Sequence, residues 1–147
     1  MYVSPEVDQI MLQNWNMESC DPKLLSPGTL AFLGDAVYEL YVRNYMVHKA
    51  NMPVNKLHLA TVEKVRASYQ SDAYARIESF LTEEEQDVWR RGRNANGVKA
   101  PKNANPAEYR RATGLEALFG YLFLQGKMDR LDQLFQLIET EPSSREG

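Results

Sequence analysis

The sequence predicts an all-α domain, a helical bundle without a β-sheet. Signals that begin helices recur along the chain, apolar residues repeat at helical spacing, and no segment is typical of a strand pair. A chain of 147 residues has the length of one domain and buries most of its apolar surface when folded. We expect a single domain over residues 1–147, with a core at about 25–126 and a C-terminal helix ending near residue 141.

The N-terminal half is predicted to hold a short helix after Ser4-Pro5 and then a long one. Ser26 before Pro27 predicts the start of the long helix, because serine caps helices and proline suits their first position. Its apolar positions are Leu30, Leu33, Val37, Leu40 and Tyr41. The stretch Pro53–Leu81 predicts one or two further helices. Their inward-facing residues are Leu57, Ala60, Val65, Tyr69, Ala73 and Ile77.

A capping-box pattern opens the C-terminal half. Thr82 and Glu85 have the spacing of that motif, which predicts a helix to about Arg93 that stops before Gly97. The segment Arg91–Pro106 is rich in Gly, Asn, Ala, Lys and Pro and has almost nothing to bury. We therefore expect a long irregular loop there, a feature that is usually functional or mobile in a compact domain.

Asn105 before Pro106 repeats the start signal of the long helix. The helix that follows is predicted to continue to Gln125, with Gly126 as its stop. The apolar positions of a last amphipathic helix are Met128, Leu131, Leu134, Phe135 and Ile138. We expect the tail after Pro142 to be disordered.

Charge is distributed unevenly along the chain. The net charge of −3 does not by itself suit a nucleic-acid-binding protein. Between Arg90 and Arg111, seven basic residues stand against one acid, so this segment carries +6 and the remainder −9. The basic residues are Arg90, Arg91, Arg93, Lys99, Lys102, Arg110 and Arg111. Composition alone favours an ordinary solvated loop over a phosphate-binding surface.

Cysteine usage and hydropathy exclude several classes. The single Cys20 excludes an intrachain disulfide and a cysteine-rich metal site, and it suits a reducing cytosol. The N-terminus has no basic stretch followed by an apolar run, so we expect no secretory signal. Thr29–Val42 and Ala112–Leu124 are too short to span a bilayer and carry charges. We expect a cytoplasmic protein.

Two acids stand alone in the most apolar helical segments. Asp35 is the lone acid of the first segment and Glu116 that of the second. Gly34 and Gly114 lie near them, although a glycine inside a helix costs about 1 kcal/mol relative to alanine. These glycines indicate close backbone packing, or room for a ligand beside the acids.

An ionised carboxylate among apolar neighbours is costly unless a cation balances it. One interpretation is an ion pair with Arg43 or Arg66. The other requires Asp35 and Glu116 to converge on packed antiparallel helices and hold Mg²⁺ or Mn²⁺, which prefer oxygen ligands. The residues alone leave both open. Glu39 is a candidate third ligand, but its place four residues before Arg43 favours an ion pair.

Four ordered motifs resemble the ribonuclease III family. The signature helix of its catalytic domain is similar to residues 30–39 (LAFLGDAVYE), and its second acidic motif to residues 113–122 (TGLEALFGYL). The resemblance is narrowed by residues 90–95 (RRGRNA) and 101–103 (PKN) to Mini-ribonuclease III. That bacterial branch has a catalytic domain and no separate double-stranded RNA-binding domain. The likeness covers roughly Leu25–Gly126.

Two acids of the larger ribonuclease III pattern are absent. The glutamate four residues before the signature aspartate is replaced here by Ala31, and the aspartate three residues before the second glutamate by Thr113. Mini-ribonuclease III is similar in lacking both. The resemblance therefore implies a weaker metal site with more water ligands.

The resemblance implies a ribonuclease III-type endonuclease domain that forms a homodimer and cuts double-stranded RNA. Asp35 and Glu116 are its expected catalytic and metal-binding residues, with Mg²⁺ or Mn²⁺ as the metal. The implied substrate is the paired stem at the ends of precursor 23S ribosomal RNA, cut to leave 3′-hydroxyl and 5′-phosphate ends. The residues expected to contact the RNA are Arg91, Arg93, Asn94, Lys99, Lys102, Asn103, Arg110 and Arg111.

Two other functions compete with this one. A catalytically silent ribonuclease III-like domain would serve as an RNA-binding or ribosome-assembly subunit, and a helical protein-interaction module would carry the basic segment incidentally. The retention of both Asp35 and Glu116 argues against these alternatives, because neither has a use for lone acids in apolar helices.

Overall fold

The computed structural model describes residues 20–96 and 99–140. Short 3₁₀ turns cover Pro22–Leu24 and Glu78–Phe80. The α-helices of the described ranges are Pro27–Lys49 (α1), Val54–Val65 (α2), Ala67–Ile77 (α3), Glu83–Arg93 (α4), Pro106–Leu124 (α5) and Met128–Glu139 (α6). No strand occurs in these ranges, so the all-α prediction is confirmed. None of the described helices is long and apolar enough to cross a membrane.

Side-chain caps begin three helices where the sequence predicts them. The Ser26 hydroxyl accepts a hydrogen bond from the first turn of α1, which has Pro27 at its first position. Thr82 and Glu85 form a complete capping box at the start of α4. The Asn105 side chain accepts two backbone hydrogen bonds at the start of α5. Local hydrogen bonding therefore determines where these helices start.

The ends of α4 and α5 also follow the predictions, with one correction. The helix α5 ends before Gly126, whose φ of 71° is readily adopted by glycine. The predicted loop Arg91–Pro106 is too long, because α4 includes its first three residues and Pro106 begins α5. The last turn of α4 stays helical because the Arg93 guanidinium packs over the ring of Trp89, 4.9 Å from its centre.

The centre of the fold is the antiparallel pair α1 and α5. A Cβ atom on Gly34 would overlap the backbone of Glu116, and one on Gly120 would overlap the carbonyl of Leu30. The two helix backbones therefore touch where these glycines lie. Of the two interpretations that the sequence allowed for Gly34, close backbone packing is therefore correct, and room for a ligand is not.

The remaining helices pack around this pair. Gly114 is also closely packed, because Trp89 of α4 covers it. The Trp89 ring stacks on Tyr74 of α3, with ring centroids 3.8 Å apart. The helix α6 contributes four buried apolar residues, in agreement with its predicted stripe; these are Leu131, Leu134, Phe135 and Ile138.

The predicted helical stretch Pro53–Leu81 contains two helices, α2 and α3, separated by an extended Arg66. Ala73 and Ile77 are buried. The other predicted inward residues are half-buried against the core; these are Leu57, Ala60, Val65 and Tyr69. The predicted helix after Ser4-Pro5 and the predicted disorder after Pro142 lie outside the described residues.

The predicted apolar stripe of α1 is only partly inward. Leu30 and Val37 are buried, but Leu40 is 64% exposed. Phe32 and Val47 on the same helix are also largely exposed. The helical period indicates a broad apolar surface, and packing against α5 uses only part of it.

Candidate active site

The structure brings the two lone acids together. Asp35 lies on α1 and Glu116 on α5, at the place where Gly34 brings the helix backbones into contact. Their carboxyl groups share a side-chain hydrogen bond, with Asp35 exposed and Glu116 half-buried. The convergence that a metal site requires is therefore present.

The electrostatics of Glu116 are those of a site that lacks a positive charge. Burial is the largest cause that raises the pKa of Glu116, and the charge and hydrogen bond of Asp35 raise it further. A hydrogen bond from Gln70 acts in the opposite direction without cancelling the rise. With no cation beside it, this carboxyl holds a proton more readily than an ordinary glutamate does.

Arg43 and Arg66, the candidate ion-pair partners of the two lone acids, pair with other acids instead. Arg43 pairs with Glu39 at 2.7 Å and Arg66 with Glu63 at 3.1 Å. The favoured assignment of Glu39 to an ion pair is therefore confirmed. Within residues 20–96 and 99–140, no arginine, lysine or histidine forms a salt bridge with either lone acid.

Gln70 of α3 is a site residue that the sequence reasoning missed. Its side chain is 2% exposed, and its Nε2 donates hydrogen bonds to Glu116 Oε2 at 3.1 Å and to the Val65 carbonyl at 2.7 Å. One signal was available, because Gln70 lies three and seven residues before the inward-facing Ala73 and Ile77. A polar residue in an inward stripe requires partners.

The oxygen atoms of this site fit a hard divalent cation that takes few of its ligands from the protein. Two carboxylates and the unpartnered buried amide oxygen of Gln70 are oxygen atoms of the kind that Mg²⁺ and Mn²⁺ bind, directly or through water. Asp35 also lines a groove of about 520 Å³ along α1, together with apolar residues that include Phe32 and Leu40. The described ranges contain no cluster of three or more His, Cys, Asp or Glu residues suited to a metal, so a cation held by this pair would take its other ligands from water.

Three of the predicted RNA-contacting residues, Arg93, Asn94 and Arg111, have defined partners. Arg93 packs over Trp89 and donates to the side chain of Asn94 at 3.1 Å. Arg111 donates to the Ser71 hydroxyl at 2.6 Å, and Ser71 adjoins Gln70 in the chain. Arg91 is exposed on α4, although its charge reaches Tyr121 and opposes the rise of that pKa. Arg111 thereby links the basic segment to α3, the helix that also carries Gln70.

The other predicted RNA-contacting residues are exposed. Lys99, Lys102 and Asn103 lie in the loop before α5, and Arg110 lies on its first turns. Arg90, which neighbours them in sequence, pairs with Asp87 on its own helix at 3.3 Å. The loop side chains are accessible to a ligand.

Comparison with known proteins places this fold and its acid pair in a family. The Ribonuclease III domain profile matches residues 28–127, a span that runs from the second residue of α1 to beyond the end of α5 and contains both lone acids. The chain belongs to the ribonuclease III family, whose members are ribonucleases.

Two relatives within that family share a name. Mini-ribonuclease 3 of Thermoanaerobacter sp. (strain X514) is 50% identical over 113 residues, covering 77% of this chain and 80% of that protein. Mini-ribonuclease 3 of Symbiobacterium thermophilum is 48% identical, covering 82% of this chain and 92% of that protein. The resemblance to Mini-ribonuclease III that the motifs indicated is confirmed.

A solved structure supports the fold. A crystal structure of a protein from Fusobacterium nucleatum superimposes with a TM-score of 0.72 at 32% identity. The likeness covers 82% of this chain and 96% of that one.

Proposed function

We propose that this ribonuclease is a Mg²⁺-dependent endonuclease that cuts double-stranded RNA and matures the ends of precursor 23S ribosomal RNA. One observation carries the proposal: Asp35 and Glu116 share a hydrogen bond between α1 and α5, and no side-chain cation of the described residues pairs with them. Mn²⁺ serves as an alternative metal, because the same oxygen ligands suit it.

The two carboxylates hold the divalent cation in this proposal. When bound, the metal polarises the scissile phosphodiester, activates water and stabilises the leaving oxygen. Glu116 is half-buried and oriented by Gln70, so its carboxylate is placed before substrate arrives. Asp35 is exposed, so its carboxylate is accessible to a cation and to the RNA backbone. The products carry 3′-hydroxyl and 5′-phosphate ends.

The basic segment is proposed to contact the RNA backbone. Proteins recognise double-stranded RNA mainly by its shape, through phosphates and 2′-hydroxyls. The proposed contacts are Arg91, Arg93, Asn94, Lys99, Lys102, Asn103, Arg110 and Arg111. Five of these are exposed and take part in no ion pair or side-chain hydrogen bond among the described residues: Arg91, Lys99, Lys102, Asn103 and Arg110.

A cytoplasmic homodimer is the proposed state of the protein. Phe32, Leu40 and Val47 are 84%, 64% and 57% exposed, and all lie on α1. An exposed apolar surface of this kind marks an interaction site in a soluble protein. A second copy that covers this surface would place two Asp35–Glu116 sites in one assembly, one for each RNA strand.

The absent acids favour one alternative, a catalytically silent RNA-binding or ribosome-assembly subunit. Ala31 and Thr113 are buried, and the Thr113 hydroxyl donates to the Tyr109 carbonyl, so neither position supplies a carboxylate. The deciding experiment is cleavage of a 23S precursor stem, with and without Mg²⁺. Cleavage that requires Mg²⁺ and is lost in Asp35→Asn supports the endonuclease. RNA binding without any cleavage supports the silent subunit.

A further inference from the structure

The amide of Gln70 has one possible orientation. Its Nε2 lies 2.7 Å from the Val65 carbonyl oxygen, which accepts hydrogen bonds and donates none. The nitrogen must therefore face Val65, and the same nitrogen also reaches Glu116 Oε2 at 3.1 Å. The oxygen Oε1 is consequently fixed on the other side of the amide.

That oxygen is buried and has no hydrogen-bond partner among the described residues. A buried acceptor without a partner costs about 1–3 kcal/mol, so such an atom normally has a ligand or a water beside it. Gln70 is 2% exposed and lies against the acid pair. Because Oε1 and Nε2 are bonded to the same carbon atom, the unpartnered oxygen lies beside the nitrogen that binds Glu116, next to the proposed cation site.

The backbone that anchors Gln70 is itself held in place. The hydroxyl of Tyr38 in α1 donates to the carbonyl of Lys64 at 3.2 Å, next to the Val65 carbonyl that Gln70 binds. Gln70 therefore ties the end of α2 to Glu116 in α5, across 46 residues of sequence. An amide held at two points is suited to orient a carboxylate.

We propose that Gln70 is a positioning residue of the metal site. Its Nε2 orients Glu116 for the divalent cation, and its Oε1 accepts a hydrogen bond from the hydration shell of that cation. This inference rests on the proposed function, because it takes the Asp35–Glu116 pair as the site of the cation. A residue that only joined α2 to α3 would explain the bond to Val65 and not the position of Oε1.

Mn²⁺ binding by the full-length, RNA-free protein tests the proposal without relying on activity. Free Mn²⁺ is measured by electron paramagnetic resonance during a titration into the millimolar range. Gln70→Met removes both polar atoms at similar volume, and we expect the dissociation constant to rise by about tenfold. An affinity within about twofold of wild type would overturn the role of Gln70, since removal of an outer partner of a metal ligand costs more than that.

A matched control exists in the chain. Gln125 also has a buried Oε1 without a partner, but its Nε2 faces Glu84 at 3.4 Å instead of the acid pair. Gln125→Met is expected to leave Mn²⁺ affinity unchanged. An equal loss of affinity in both variants would assign the effect to general packing and overturn the proposal.

A second substitution keeps the test decisive if Gln70→Met does not fold. Gln70→Leu removes both polar atoms with a differently shaped apolar side chain, so we again expect the dissociation constant to rise by about tenfold. Unchanged affinity in Gln70→Leu would overturn the proposal. Circular dichroism establishes which variants are folded.

Glu116→Gln separates this inference from the proposed function. If wild type and Glu116→Gln bind Mn²⁺ equally, the acid pair is not the metal site, and both proposals fail. If Glu116→Gln weakens binding and Gln70→Met does not, only the role of Gln70 fails. We expect both variants to weaken binding, with the larger loss in Glu116→Gln.

Discussion

Glu85 and Glu116 are two glutamates with little exposure whose pKa values are shifted in opposite directions. Burial alone would raise the pKa of Glu85, but hydrogen bonds from Arg130 and from the Thr82 backbone outweigh it and lower the pKa. Glu116 has an amide and another acid beside it, and its pKa is raised. The comparison shows that the fold supplies a paired cation to Glu85, whereas no side-chain cation of the described residues pairs with Glu116.

The partners of Glu85 show what a structural acid needs here. Its two carboxylate oxygens accept hydrogen bonds from Arg130 at 2.8 Å each, and one of them also accepts from the Thr82 backbone at 2.9 Å. Every one of these contacts favours the ionised form. Glu116, in contrast, is stabilised in its ionised form by Gln70 and by no other residue of the part of the chain that the structure describes.

The largest effect is expected from removal of a carboxylate of the acid pair. Asp35→Asn should lower Mg²⁺-dependent cleavage of a duplex RNA stem by about 10³-fold or more, because metal stabilisation of the transition state contributes several kcal/mol. RNA binding should remain largely intact. Single-turnover cleavage and a filter-binding assay measure the two quantities. Glu63→Gln, which changes an exposed ion pair, is the control, and wild-type cleavage by Asp35→Asn would refute the assignment.

Removal of Arg130, the cation that pairs with Glu85, should lower the stability of the fold and leave cleavage chemistry unaffected. Arg130→Met leaves Glu85 buried without its partner, and we expect the free energy of unfolding to fall by about 3 kcal/mol. Urea denaturation followed by circular dichroism measures the change. Arg66→Met, which breaks an exposed pair, should cost at most about 1 kcal/mol. Similar losses in the two variants would show that the Glu85 pair is no more important than a surface pair.

The pH dependence of stability should differ in sign between the two glutamates. Because folding raises the pKa of Glu116, the metal-free protein loses stability as the pH rises above the ordinary glutamate value of 4.5. Glu116→Gln removes that loss and should stabilise the metal-free protein at pH 8 by on the order of 1 kcal/mol, with a smaller gain at pH 5. Chemical denaturation at the two pH values measures the difference.

Glu85→Gln is the opposite case. Because folding lowers the pKa of Glu85, its contribution is present above pH 4.5 and is lost as the pH falls through the lowered pKa. The variant should therefore be less stable than wild type at pH 7, and the gap should narrow in acid. If both variants changed stability with the same sign at pH 8, the contrast between the two sites would be wrong.

The smallest effect is expected in the basic segment. Arg91→Ala or Lys102→Ala should weaken duplex RNA binding and lower the slope of log affinity against log salt by about 1, the value for one lost phosphate contact. Binding measured at several salt concentrations gives the slope. Lys56→Ala on α2, outside the segment, should leave it unchanged. An unchanged slope in all three would remove the loop from the RNA interface.

Local signals in the sequence were sufficient for the helices. The signals that begin and end these helices act within one helical turn, so they can be recognised without knowledge of the fold. They are the caps at Ser26, Thr82 and Asn105 and the stop at Gly126. The ion pair of Glu39 with Arg43 was predictable for the same reason, since four residues of helix bring the two side chains together.

The sequence also indicated that Asp35 and Glu116 are unusual acids, because each is alone in an apolar helix. Only the tertiary structure decided which groups surround them. Asp35 and Glu116 were recognisable because a lone acid in an apolar helix is costly, and the motifs around them carried the family resemblance. Which side of α1 faces the core was not determined, and Leu40 is therefore exposed against expectation. Helical period alone does not say how wide the buried stripe is.

Gln70 could not be assigned from the sequence, because its partner lies 46 residues away and on another helix. The pairing depends on the close contact of α1 with α5 and on the corner between α2 and α3, which only packing brings into position. The sequence by itself thus determined the helices, the family and the two acids. The tertiary structure decided that Asp35 and Glu116 lie next to each other. It also decided that Glu85 pairs with Arg130, whereas Glu116 receives a hydrogen bond from the amide of Gln70.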